Sequence, residues 1–361
     1  LGATSLVTWA ADAENVVIFY GNEGLDLAGS SALAQACTEF EGVRERFHAL
    51  AVRSEAGPGA GRDAGPVHQL FGEFDGTDRP LGGNPCAVLF DTDSMDDATM
   101  LAVAREMNLS ETAFVQNNAP PGANFAARYF TPAEEIPLAG HPTLATTFAL
   151  VASGRFRLAG EHTRLVLALK AGLIPVDIYA AGEHITKIVM TQNKPIFLRT
   201  YTAQEVLPAF HLHPEDAMPD VPLQTVSTGT PQLMIPLRSL EALRRARVDV
   251  PAYTALRQRG DFFSPHLFCL QGATPAGQTF ARHFGVPPDS PEDPFTGSAT
   301  GGMAAYLWRY GLIGEPAFTA EQGHWMQRPG QATVEVIGPR HDIHTVKVGG
   351  PAITILRGRG V

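Results

Sequence analysis

The chain has 361 residues, 44% of them hydrophobic, and a formal net charge of -10. That length can bury more than one compact core, so two domains are expected. The acidic balance excludes the basic field that a phosphate backbone or an anionic membrane surface requires. Its three cysteines, Cys37, Cys86 and Cys269, are odd in number and form no CxxC pair, so neither a disulfide framework nor a zinc site is expected.

No apolar run reaches the roughly 20 residues of a membrane helix. The first residues lack the basic start and cleavage site of a secretory signal, so a cytoplasmic location is expected. Residues 1–64 hold short apolar runs such as Val16-Val17-Ile18-Phe19-Tyr20 and lead into a Gly/Ala-rich linker. They are read as an N-terminal extension, dispensable for the fold that follows. From Val67 the pattern becomes regular. Val67 to Phe74 and Cys86 to Phe90 read as strands, and Asp96 to Asn108 carries Met100, Leu101, Ala104 and Met107 at helical spacing. Thr112 to Gln116 and Asn124 to Phe130 return to strand character, and Pro142 to Leu150 reads as a helix. Alternating strands and helices place the chain in an α+β or α/β class.

Two distant stretches share one plan. Ala127-Arg128-Tyr129-Phe130 leads through a Pro/Glu-rich loop to Gly140-His141 and a helix, while Ala281-Arg282-His283-Phe284 leads through a Pro/acid-rich loop to Gly297-Ser298 and a helix. A duplicated unit of this kind implies a pseudo-twofold protein with one helix N-terminus from each half, and a cleft between the halves is a usual ligand site.

A helix N-terminus presents unpaired N–H groups and the positive end of the helix dipole, so two ends facing one cleft would hold a small carboxylate. Glycine at the entry would let a ligand come close to the backbone. His141 could donate a hydrogen bond or move a proton there; the alternative is a helix-capping histidine without chemistry. Asp293 and Ser298 would form a polar wall at the second junction, against the alternative of ordinary capping by Thr296 or Ser298. Glu111 lies in the turn Asn108-Leu109-Ser110-Glu111-Thr112, where partial desolvation would raise its pKa toward the range of a general acid/base; the alternative is a solvated turn acid.

Five stretches together resemble the PhzF-type phenazine biosynthesis isomerases, which share the diaminopimelate epimerase fold. They are "DRPLGGNPCAVLF" from Asp78, "AREMNLSETAFV" from Ala104, "RYFTPAEEIPLAGHPTLAT" from Arg128, "EDPFTGSATGG" from Glu292 and "EQGHWMQRPG" from Glu321. The resemblance covers Val67 to the C-terminus and leaves residues 1–64 without a counterpart. One departure is an apparent insertion of Asp75-Gly76 after Gly72-Glu73-Phe74.

The resemblance implies two pseudo-symmetric domains, residues 65–185 and 186–361, each a mixed sheet wrapped around a central helix. The last strand is free to return to the first domain. The implied activity is a cofactor-independent shift of a proton and double bond in a small unsaturated amino or hydroxy carboxylic acid, in secondary-metabolite biosynthesis. Glu111 would be the acid/base, with His141 and Asp293 assisting. Gly83, Asn84, Gly140, Pro142, Thr296, Gly297 and Ser298 would bind substrate. No metal, flavin or nicotinamide is implied, and a homodimer is the family expectation. A two-thiol racemase is a poorer reading, since Ala139-Gly140-His141 and Thr296-Gly297-Ser298 carry no cysteine. A carboxylate-binding homologue without catalysis is the third.

Overall fold

The computed structural model describes residues 67–73 and 82–359. The readings made for residues 1–64 and for the Asp75-Gly76 insertion lie outside them. Residues Gln69–Ile355 form one compact unit, which holds all the features below.

The four longest helices among the described residues are α1 (Asp97–Met107), α2 (Gly140–Ala152), α3 (Val250–Arg259) and α4 (Gly297–Arg309). Both α2 and α4 are 13 residues long, and their buried positions run round the helix rather than along one stripe. A helix of that kind must be enclosed on all sides. Strands Asn84–Leu89, Glu111–Gln116, His184–Thr191 and Thr345–Gly350 pack on α2, while Leu223–Ser227, Pro231–Pro236, Gly330–Ile337 and Thr345–Gly350 pack on α4. The fold is therefore α+β, with one continuous mixed sheet whose two halves each wrap around a central helix. Leu144 and Leu150 of α2 and Met303 and Leu307 of α4 are fully buried, each stabilising the unit by about 2 kcal/mol relative to exposure. Two of the threonines that interrupt α2 return their hydroxyls to nearby carbonyls: Thr143 donates to Ala139 O at 2.7 Å and Thr147 to Thr143 O at 2.8 Å.

The repeat read in the sequence continues strand by strand. In the first half, Asn84–Leu89 runs parallel to Glu111–Gln116, which pairs antiparallel with Phe125–Phe130, itself antiparallel to the short strand Glu135–Ile136 and parallel to His162–Leu169. In the second, Pro231–Pro236 runs parallel to Ser264–Cys269, which pairs antiparallel with Thr279–Phe284, itself antiparallel to Glu292–Asp293 and parallel to Ala317–Gln322. The registers coincide: Ala113 opposes Tyr129 where His266 opposes His283, and Tyr129 opposes Ile136 where His283 opposes Asp293. Each half also carries the same brace, Arg128 to Glu135 at 2.8 Å and Arg282 to Glu292 at 2.7 Å. The halves join where Thr345–Gly350 pairs antiparallel with His184–Thr191.

Candidate active site

The two central helices meet at their N-termini. A Cβ built on Gly140 would lie 2.6 Å from Gly297 Cα and 2.8 Å from Ser298 N, and one on Gly297 would lie 3.1 Å from Gly140 Cα. Gly140 is thus required by the approach of Gly297, while a side chain at position 297 would be tight against Gly140. The sequence reading assigned them to close approach of a ligand; the contact that demands them is helix against helix.

Neither helix is capped by a side chain. The N-cap of α2 is Ala139, which has nothing to offer, and the N-cap of α4 is Thr296, whose hydroxyl makes no cap bond. Thr296 Oγ1 instead donates to Asp293 Oδ2 at 2.5 Å, and its backbone N–H donates to Gln322 Oε1 at 3.1 Å. Ordinary capping therefore does not explain Thr296 or Ser298. The positive ends of two helices stand together at one cleft, lined by Glu111, Ala139, Asp293, Thr296 and Ser298 among others, and such an arrangement favours an anion.

Local structure delivers Glu111 to this point. Helix α1 starts at Asp96, whose carboxylate accepts from Thr99 N at 2.8 Å, and stops at Asn108 in the left-handed conformation at φ 50°. Two further residues bring Glu111 to the first position of its strand. Its side chain is 14% exposed, and its Oε2 lies 3.2 Å from His141 Nε2, although neither of these two atoms is hydrogen-bonded within the protein.

Behind them sits Asn84, fully buried. Its Nδ2 reaches Asp293 Oδ1 at 2.7 Å, Phe295 O at 2.8 Å and His141 Nδ1 at 3.0 Å. An amide has two hydrogens, and the two shorter contacts take them. His141 is also hydrogen-bonded to the carbonyl of Pro85. It is Nε2 of the ring that faces Glu111.

Burial pushes His141 down to about 3, so it is neutral at physiological pH. Burial raises Glu111 well above the usual carboxylate range, and the charges of Asp293 and then Asp289 add to the rise. Asp293 is raised by burial too, opposed by hydrogen bonds from Ser110, Thr296 and Asn84. Of this coupled pair Asp293 is the one solvated by donors, so Glu111 is raised the further of the two.

The structure therefore brings Glu111, His141, Asn84, Asp293, Thr296 and Ser298 together. Asn84 stands behind the cleft wall as a brace. Gly83, at φ 54°, is held away from the cleft lining by Pro329 O, which accepts its N–H at 3.0 Å, and by Arg328 Nε, which donates to its carbonyl at 2.8 Å. Pro142 is the third residue of α2, where it supplies no N–H to the exposed end. Cys86 and Cys269 are both buried, and among the described residues no group of histidines, cysteines and carboxylates has metal-binding geometry. No helix among these residues is long and apolar enough to cross a membrane.

Sequence reading missed Ser264, Gln232 and His283, which line the other side of the same cleft. The signal was present, because His283 stands in the repeated Ala281-Arg282-His283-Phe284; what was lacking was the strand pairing that sets it beside Ser264.

The model of the family described as phenazine biosynthesis-like protein, PhzC-PhzF, matches residues 76–358. The trans-2,3-dihydro-3-hydroxyanthranilate isomerase of Pseudomonas fluorescens is 32% identical over 286 residues, covering 77% of this chain and 94% of that protein. An uncharacterised isomerase of Clostridium acetobutylicum is 30% identical over 295 residues, covering 78% of this chain and 94% of its own. Among solved structures, a PhzF-family phenazine biosynthesis protein of Bacillus anthracis superposes with a TM-score of 0.70 at 26% identity, over 83% of this chain and all of that one (100%).

Proposed function

The chain is an isomerase of the phenazine biosynthesis-like, PhzC-PhzF, family, and from that premise we propose that it shifts a proton and a double bond within a small unsaturated amino or hydroxy carboxylic acid, with Glu111 as the acid/base. The substrate class follows that of the Pseudomonas fluorescens relative, a dihydro-hydroxyanthranilate, and the setting is secondary-metabolite biosynthesis. One observation carries the reading: a carboxyl whose proton affinity is raised by burial lines the same cleft as two uncapped helix N-termini.

The substrate carboxylate sits against the first turns of α2 and α4, with Ser298 beside it. Ionised Glu111 takes a proton from a carbon conjugated with that carboxylate. The C–H electron pair moves into the conjugated system, and the growing negative charge falls on oxygens already faced by N–H groups. Glu111 then returns the proton to the far carbon of the allylic system, where the new C–H bond forms and the double bond has moved. Charge and atoms balance over one turnover, and one carboxyl serves both steps because its raised pKa makes it both an effective base and a usable acid. His141, being neutral, does not act as an imidazolium acid; its Nε2 stands 3.2 Å from the Glu111 carboxyl. Asp293 keeps the Glu111 proton affinity high through its charge.

The halves 65–185 and 186–361 are read as two epimerase-like domains, with the cut better placed in the connection after the strand His184–Thr191 than inside it. A homodimer and a cytoplasmic location belong to the same reading. The test is incubation with trans-2,3-dihydro-3-hydroxyanthranilate and related cyclic unsaturated amino acids in heavy water, followed by NMR. Solvent deuterium at the newly saturated carbon supports the proposal. A carboxylate that binds tightly and exchanges no proton would favour a non-catalytic binding protein.

A further inference from the structure

The register places Ser264 in the second half where Glu111 stands in the first: Cys86 pairs with Glu111 in one parallel pair and Gln232 with Ser264 in the other, each at the first residue of its strand. The next inward positions differ as sharply. Ala113 and Tyr129 of the first half correspond to His266 and His283 of the second.

These residues form one buried line of hydrogen bonds. Ser264 Oγ donates to Gln232 Oε1 at 2.6 Å, so its own oxygen is the acceptor for His283 Nε2 at 2.8 Å. With Nε2 of His283 protonated and the ring neutral, its Nδ1 accepts from His266 Nδ1–H at 3.2 Å. All four side chains are 6% exposed or less. The serine hydroxyl is thereby fixed in rotation. A hydroxyl oxygen has two lone pairs, and His283 occupies one. Ser264, Gln232 and His283 line the cleft; His266 stands behind them.

A buried polar line of this length is costly unless satisfied, and it adds nothing to the proton transfer assigned to Glu111. From this geometry we propose that Ser264 is a specificity-determining residue that accepts a hydrogen bond from a hydroxyl or amino substituent of the substrate, with His283 and, behind it, His266 as positioning residues. The proposal rests on the isomerase reading in taking the cleft as a carboxylate site, and it goes further in assigning a polar substituent to the side of the ring that faces the second half. Selectivity follows from the fixed rotation: a hydroxyl locked as an acceptor rewards a donor and gains nothing from a hydrogen or methyl at that position.

The test is titration calorimetry with two probes that differ in one hydroxyl, 3-hydroxyanthranilate and anthranilate, on the wild-type chain and on Ser264→Ala, His283→Leu and His283→Gln. The wild type is expected to favour the hydroxylated probe by about fivefold to tenfold, the value of one buried hydrogen bond. Ser264→Ala should lose that preference while keeping its affinity for anthranilate. His283→Leu should lose most of it and His283→Gln, which can still donate to Ser264, should restore part, with melting curves confirming that each variant is folded. Equal affinities in the wild type, an unchanged preference in Ser264→Ala, or an equal loss for both probes would overturn the Ser264 assignment alone. Failure of the wild type to bind either probe would overturn the carboxylate cleft and both proposals with it.

Discussion

The two halves share a backbone and divide the chemistry. Both carry a strand, a short antiparallel return, an arginine–glutamate brace and a 13-residue central helix entered at a glycine. At equivalent positions on the cleft one half presents Glu111 facing a neutral histidine, and the other presents Ser264 held by a line of two histidines and a glutamine. The repeated features are those that the meeting of two helix ends requires, while the features that differ are those a substrate would feel. Duplication thus supplies the anion site from both halves, and divergence supplies acid/base function from one and recognition from the other.

The comparison can be broken first at the glycines. Gly140→Ala should destabilise the protein by about 3 kcal/mol, because its Cβ would lie 2.6 Å from backbone that cannot move independently. Gly297→Ala, with a nearest approach of 3.1 Å, should cost clearly less. Urea titrations that found the two equal, or Gly297→Ala the worse, would contradict the account of the junction.

The braces should be unequal as well. The Arg282 side chain is 10% exposed, grips Glu292 at 2.7 Å through both Nε and Nη2, and donates from Nη1 to Leu243 O at 3.2 Å and Ala246 O at 2.9 Å. The Arg128 side chain is 23% exposed and pairs with Glu135 and the exposed Asp97. Arg282→Met is expected to cost about 3 kcal/mol and Arg128→Met about 1, in line with buried and more solvated pairs.

The pH responses should run in opposite directions. Glu111 is raised in the folded state, so its contribution to stability is full below its ordinary 4.5 and is lost as pH rises through the raised value. Glu111→Gln should therefore raise the melting temperature at pH 8 by a few degrees and change it little at pH 4. His141 and His283 are both lowered by burial from 6.5 to about 3, and His266 is lowered well below 6.5. Their contribution is present above 6.5 and is lost as pH falls toward 3, so acid unfolding should take up protons; potentiometry finding none would contradict it.

Smallest in stability but informative in kinetics is Asp293→Asn. With the neighbouring charge removed, Glu111 should titrate lower, and the rising limb of kcat/KM should move to lower pH as the rate falls. A limb that stayed in place would show that the Asp293 charge does not set it.

Much of this was legible in the sequence. The turn before Glu111 and the two Gly-polar junctions are local signals, and the duplicated Ala-Arg-x-Phe strands pointed to the pseudo-twofold. What was not legible depends on distance along the chain. Asn84 braces Asp293 across 209 positions, and Gly140 faces Gly297, so neither reason for the residue can be read from its neighbours. The burial of His141, a property of the whole fold that its sequence neighbours do not announce, pushes its pKa down to about 3. Ser264 looked like an ordinary strand residue until its register set it opposite Gln232.

The central claim is that one carboxyl in one half carries the proton. It is tested most directly by following deuterium incorporation from heavy water into substrate and product with the wild-type chain and with Glu111→Gln side by side. The account predicts exchange in the wild type and a loss of about a thousandfold or more in a folded Glu111→Gln. Exchange at the wild-type rate in that variant would contradict it.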